Sequence, residues 1–252
     1  MRQTFSVDRT VDFIICGAQK GGTTALDAYL REHPQICMAN NKEVHFFDNE
    51  SNFLKKDHDY SKYHSFFSPQ KKHDVIGEAT PIYMYWNNAP KRIWNYNPNM
   101  KLILLLRNPI DRAYSHWNME QLRNADNLSF FDAIKNEKSR CLEAFPYQHR
   151  VYSYIDRGLY VEQLQRLKKY FPSNQILILK SEYLKKQPDK ALENICTFLD
   201  IAPFESVEAK NIHSHPYKSK MSQEEREYLR LIFEPEIKNL EQMLNWDCKD
   251  WC

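Results

Sequence analysis

Apolar residues cluster along this chain in short runs separated by polar turns. Residues 101–106 read KLILLL and residues 175–180 read QILILK. Runs without alternation suit parallel strands covered on both faces. A third run, FIIC at 13–16, enters a turn built of Gly17, Lys20, Gly21, Gly22, Thr23 and Thr24. Leu26, Tyr29 and Leu30 then recur at helical spacing, so the stretch reads as strand, glycine-rich turn and helix. Ile36, Cys37 and Met38 form a short apolar run, and Val75 and Ile76 make a short strand-like start that Pro81 keeps from continuing. Tyr160, Leu164, Leu167 and Phe171 share one helical face, as do Leu192, Ile195, Cys196 and Leu199. Pro109 favours a helix start over PIDRAYSHWNMEQLR. Ser222 with Glu225 makes a capping box for a last helix carrying Leu229, Ile232 and Phe233. Residues 49–72 show no clean period and read as an irregular or partly helical excursion, and residues 125–150 are polar with a helical patch near Phe130, Phe131 and Ile134.

Strand and helix in alternation predict an α/β fold with a central parallel sheet, helices on both faces and a ligand crevice beyond the carboxyl ends of the strands. The glycine turn, residues 78–81 and Arg107 all fall at such ends. At 252 residues with 42% hydrophobic content, a single P-loop-like domain spanning 1–252 is expected.

The glycine turn gathers backbone N–H groups, the positive end of a helix, a lysine and two hydroxyls, which is a setting for a phosphate-like anion. Gly17 and Gly22 are spaced as in the nucleotide-binding P-loop, but the residue after the second glycine is Thr23 and the lysine is Lys20, inside the turn. A P-loop enzyme that cleaves phosphate holds Mg²⁺ with an acid ending a buried strand. KLILLL ends instead in Arg107, a residue that repels a cation and grips a phosphate with two parallel hydrogen bonds. Two phosphate sites follow, one at the turn and one at Arg107 and Ser115, with no catalytic metal. Between them, NKEVHFFD at 41–48 carries a carboxylate and an imidazole. Read as extended, it sets Glu43 and His45 on one face; the other reading is a half-exposed strand turning polar residues to water.

A net charge of +2 does not single out a nucleic-acid partner. The six cysteines form no metal-binding or disulfide framework. Cys16 and Cys196 are expected buried and reduced, while Cys248 and Cys252 are close enough in sequence to pair in an oxidising compartment. MRQTFSVDRTVDF lacks the apolar stretch of a signal peptide and no run reaches the length of a membrane span, so a soluble, cytoplasmic chain is expected.

KGGTTAL after an apolar strand, LRNPIDRAYSHW further on and NKEVHFFD between them resemble the sulfotransferases that use 3'-phosphoadenosine 5'-phosphosulfate. The branch most resembled holds the heparan sulfate glucosamine 3-O-sulfotransferases and soluble bacterial relatives. The likeness runs from Phe13 to Trp246. It implies that Lys20, Gly21, Gly22, Thr23 and Thr24 bind the 5'-phosphosulfate and that Arg107 and Ser115 bind the 3'-phosphate. It further implies a sulfuryl transfer to an acceptor hydroxyl, on a sugar or glycan, with Glu43 as catalytic base, His45 and Asp48 in support, and Lys20 stabilising the departing phosphate oxygen. His45 is the rival base. Where members acting on heparan sulfate carry a lysine, this chain has Ala79. The family's cofactor-contacting loop near the C-terminus is matched loosely by HSHPYKSKMS, where Tyr217 and Lys218 are the candidate contacts. An ATP-dependent kinase and a non-catalytic nucleotide binder are the alternative readings.

Overall fold

The structure, a computed structural model, describes residues 9–55, 57–206 and 219–251. In chain order it forms β1 (Phe13–Gly17), α1 (Thr23–Leu30), β2 (Ile36–Met38), α2 (Ser61–His64), β3 (Val75–Ala79), α3 (Ala89–Tyr96) and β4 (Lys101–Leu106). It continues with α4 (Pro109–Leu122), α5 (Phe130–Lys135), α6 (Glu137–Cys141), α7 (Tyr160–Lys168), β5 (Ile176–Lys180), α8 (Ser181–Lys186), α9 (Pro188–Leu199) and α10 (Gln223–Leu244). Among these residues, 9–106 and 167–206 make one compact unit, and 107–166 and 219–251 a second.

The first unit contains the sheet. Its five strands are all parallel, in the order β2-β3-β1-β4-β5. Every residue of β1 is buried, as is β4 from Leu102 onward, which is why these strands carry unbroken apolar runs rather than alternation. On one face, Phe13, Ile15, Ile103, Leu105 and Leu179 join Leu26 and Leu30 of α1 and Leu192, Ile195 and Leu199 of α9 in a single core. Each such side chain contributes about 1.5–3 kcal/mol by leaving water. Cys16 and Cys196 are buried as expected, and burial pushes both thiols up from the usual range. Cys252 lies outside the described residues.

From β1 the chain passes to the edge strand β2, returns to β3 on one side of β1 and then crosses to β4 on the other. The turn after β1 therefore leaves at the point where a parallel sheet opens a crevice. It is seated on β4: the Ala18 N–H donates to the Leu105 carbonyl at 2.9 Å. Gly21 comes so close that a Cβ there would stand 2.2 Å from the same carbonyl oxygen. Gly22 has φ +98°, a left-handed conformation that a glycine adopts without strain.

In the second unit α4 begins at Pro109, whose missing N–H costs nothing at a helix start, with the Asn108 side chain accepting from the Ile110 N–H at 2.9 Å. Asn108 also donates to the Trp251 carbonyl at 3.1 Å. Arg112 of α4 is fully buried, and its guanidinium donates to the Tyr154 carbonyl. Glu137 accepts the N–H groups of Ile155 and Asp156 at 2.7 and 2.8 Å, while burial pushes its pKa up to about 7. The capping box forms on α10: Ser222 Oγ accepts from the Glu225 N–H at 3.1 Å and the Glu225 carboxylate from the Ser222 N–H at 2.6 Å. No helix among the described residues is long and apolar enough to cross a membrane.

Gly21→Ala must displace a backbone carbonyl of β4 and is expected to cost about 1–3 kcal/mol, the usual penalty of overpacking. Ser222→Ala, which removes a single cap, is expected to cost about 1 kcal/mol. Denaturant midpoints at unchanged slope check both.

Candidate active site

The crevice end of the first unit is built from three segments that finish at one edge of the sheet. The glycine turn presents Lys20, half-buried and itself in the left-handed region at φ +68°. Gly22, as N-cap of α1, offers no side chain to the first-turn N–H groups, and no acidic residue lies in that turn. Thr23 is buried and Thr24 exposed. Backbone donors with no competing carboxylate, a helix N-terminus and a lysine suit a phosphate or sulfate. Residues 20–24 thus lie together in one turn that runs into the N-terminus of α1.

The acid-bearing segment lies beside it. Its extended reading is overturned: residues 41–48 form no strand, and Glu43 and His45 both sit in the left-handed region, at φ +64° and +52°. Phe46 and Phe47 are adjacent and are 2% and 0% exposed. A turn buries both rings. Phe47 packs against Tyr63 and Tyr83, and Phe46 against Tyr63 and Phe53. The turn is pinned to β3 through the Glu43 N–H, which donates to the Ala79 carbonyl at 2.9 Å, and Ala79 is aligned with Ile15 of β1. The Phe46 N–H donates to Tyr83 Oη at 2.9 Å.

Glu43 and His45 meet despite the altered backbone. His45 Nε2 stands 3.5 Å from Glu43 Oε2, and His45 Nδ1 lies 2.9 Å from Oδ2 of the fully buried Asp48. Lys42 Nζ approaches Glu43 Oε1 at 2.5 Å. The four groups alternate in charge: Asp48, His45, Glu43, Lys42. Asp48 first, then Glu43, raise the His45 pKa to about 9 against the opposing effect of burial. The contact with His45 lowers that of Glu43 to about 2, with Lys42 adding to the effect. At neutral pH the imidazolium carries a proton on each nitrogen and has no lone pair to accept another. The Glu43 carboxylate, 33% exposed in its side chain, does.

Beneath the turn, Glu78 of β3 is fully buried and burial pushes its pKa up to about 7, against hydroxyl donors from Thr80, Tyr63 and Tyr83. Lys42 and Glu78 are the groups that sequence reasoning did not assign. The available signal for Glu78 was an acid inside an otherwise apolar strand, VIGEA.

Arg107 and Ser115 belong to the second unit. Arg107 immediately follows β4 in sequence, is half-buried, and its carbonyl accepts from Tyr160 Oη at 2.8 Å. Ser115 lies on the second turn of α4 and is 5% exposed. Tyr217 and Lys218 lie outside the described residues.

Residues 10–249 match the sulfotransferase domain family, and the chain belongs to it. A crystal structure of a sulfotransferase from Alicyclobacillus acidocaldarius superposes with a TM-score of 0.81 at 26% identity, covering 96% of this chain and 99% of that one. The membrane-associated sulfotransferase kil1 of Dictyostelium discoideum is 27% identical over 94% of this chain and 66% of its own length. Heparan sulfate glucosamine 3-O-sulfotransferase 5 of Mus musculus is 31% identical over 75% of this chain, which spans only 53% of that protein.

Because the folded pKa of His45 is raised, its contribution to stability is fully present below its ordinary value of 6.5 and is lost as pH rises through about 9. Glu43, with a lowered pKa, contributes above its ordinary 4.5 and loses that contribution as pH falls through about 2. Imidazole NMR titration is expected to place His45 near pH 9 in the parent, falling toward 6.5 in Asp48→Asn. A parent midpoint already near 6.5 would contradict the ion-paired geometry.

Proposed function

We propose that this chain transfers a sulfuryl group from 3'-phosphoadenosine 5'-phosphosulfate to an acceptor hydroxyl, with a sugar or glycan as the acceptor and Glu43 as the general base. The observation that carries this reading is the Asp48–His45–Glu43 array, pinned at the end of β3 beside the anion cradle that follows β1. Family membership supports the reaction class, and the heparan sulfate relative supports a carbohydrate acceptor.

When bound, the donor supplies an activated sulfuryl group whose leaving oxygen belongs to a phosphate. The main-chain N–H groups of residues 20–24 and the Thr23 and Thr24 hydroxyls bind that end, and Lys20 neutralises charge on the leaving oxygen. Glu43 accepts the hydroxyl proton as the acceptor oxygen bonds to sulfur and the sulfur–oxygen bond to phosphate breaks. His45, held cationic by Asp48, orients Glu43 and leaves it the proton-accepting role. Lys42 must release Oε1 of Glu43, or share it, when a hydroxyl docks. Arg107 and Ser115 take the 3'-phosphate, and Tyr217 and Lys218 are further candidate contacts. Residues 49–72 and 125–157 are the segments proposed to select the acceptor.

Calorimetric titration with adenosine 3',5'-bisphosphate, beside ATP with Mg²⁺, tests the donor. The bisphosphate is expected to bind in preference to ATP and to lose affinity in Lys20→Ala and Arg107→Ala; stronger binding of ATP with Mg²⁺ would overturn the reading in favour of a kinase. Transfer is then followed on unsulfated heparosan oligosaccharides, alkyl glycosides and simple alcohols. Glu43→Gln is expected to lower kcat by about 10²–10⁴, the usual worth of a general base, while still binding the bisphosphate.

A further inference from the structure

His45 and Asp48 meet at 2.9 Å across two intervening residues, so their contact depends on the backbone of Phe46 and Phe47. Those two residues lie in neither helix nor strand, and their rings are buried. Buried backbone groups with no ladder to join need partners from elsewhere. Three side chains supply them. Tyr83 Oη accepts the Phe46 N–H at 2.9 Å and the Phe47 N–H at 3.4 Å. The Asn52 side-chain amide donates to the Phe46 carbonyl at 3.0 Å, and Arg92 Nη1, from α3, donates to the Phe47 carbonyl at 2.9 Å. That last carbonyl belongs to the peptide unit that leads into Asp48.

Arg92 is itself fixed from several directions. Its Nη1 donates to Glu50 Oε1 at 3.0 Å and its Nη2 to Glu50 Oε2, the parallel pair that suits a guanidinium and a carboxylate. The Trp86 indole N–H donates to the same Oε1 at 2.8 Å, and the guanidinium lies over the Phe53 ring, 4.2 Å from its centre. A planar fork held in this way has one direction left to it, toward the Phe47 carbonyl. A lysine, a point charge on a flexible stem, does not reproduce that fork.

We propose that Arg92 is a positioning residue of the active site: by gripping the Phe47 carbonyl it holds the peptide that leads into Asp48, and with it the imidazole that stands between Asp48 and Glu43. This role rests on the reading of Glu43 as the base, and needs no contact between Arg92 and the reacting atoms. Glu50 balances the charge of Arg92, so the arginine acts on His45 through geometry. The sign of its effect separates the two routes. Loss of a nearby cation alone favours a protonated imidazole, whereas withdrawal of Asp48 from Nδ1 disfavours it.

The test uses the full chain as parent, as Arg92→Met, which keeps a long apolar stem beside Phe53, as Arg92→Lys, and as Ser222→Ala, a control that loosens a helix cap of the other unit. Imidazole NMR titration of His45 and amide hydrogen exchange at Phe46, Phe47 and Asp48 need no acceptor. In Arg92→Met the His45 midpoint is expected to fall from about 9 toward 6.5 and the three amides to exchange faster. Arg92→Lys is expected to shift in the same direction by less, and Ser222→Ala to titrate like the parent. With whichever acceptor the parent turns over, kcat of Arg92→Met is expected to fall about 10- to 100-fold, the effect of misplacing a catalytic group by about 1 Å. Binding of adenosine 3',5'-bisphosphate is expected to stay unchanged. An unchanged or raised His45 midpoint in Arg92→Met would overturn the inference, as would the same result in Arg92→Lys should Arg92→Met fail to fold. Full activity in Glu43→Gln would overturn the base assignment itself; an inactive Glu43→Gln beside a parent-like Arg92→Met would overturn only the role of Arg92.

Discussion

β1 occupies the centre of the sheet, hydrogen-bonded to β3 on one side and to β4 on the other, and all of its residues are buried. Because the strands are parallel, β1, β3 and β4 end at the same edge. The glycine turn leaves β1 there and rests on the Leu105 carbonyl of β4, while the acid-bearing turn is tied to the Ala79 carbonyl of β3. Both halves of the candidate site in this unit thereby inherit their spacing from strand register rather than from flexible loops. Gly21 shows how tight the arrangement is, since the loop-to-strand contact leaves no volume for a methyl group.

The acid-bearing turn concentrates strain and charge in a few residues. Two non-glycine residues in the left-handed region cost of order 1–3 kcal/mol each unless the surroundings determine their conformation. Here the surroundings do. Phe46 and Phe47 are locked among Tyr63, Tyr83 and Phe53, and the backbone is bonded both to β3 and to the Tyr83 hydroxyl. The alternation from Asp48 to Lys42 gives each group a neighbour of opposite sign, the fully buried Asp48 facing His45. His45 thus stands between two carboxylates, of which Glu43 is the more exposed.

The resemblance implies a lysine at the position of Ala79 in members acting on heparan sulfate, and this chain has no cation there. Ala79 is instead 1% exposed and belongs to the α1-facing core, with its carbonyl committed to Glu43. Recognition of an acceptor by a cation at that position is therefore not open to this chain.

The strands, the glycine turn, the Pro109 helix start and the Ser222 capping box were legible in the sequence, because each depends on residues within one or two turns of chain. Cys16 and Cys196 were legible as core residues for the same reason. The conformation of residues 41–48 was not: alternation correctly paired Glu43 with His45 but for the wrong geometry, since both residues sit in the left-handed region and not on an extended strand. By itself the sequence determined the strands of the sheet and the glycine turn that leaves β1. Only the tertiary structure decided that Lys42 engages Glu43, that both nitrogens of His45 face carboxylates and that the Tyr83 hydroxyl accepts the Phe46 N–H. Those outcomes depend on carbonyls, hydroxyls and rings brought from distant parts of the chain, which no local pattern of hydrophobic and polar residues encodes.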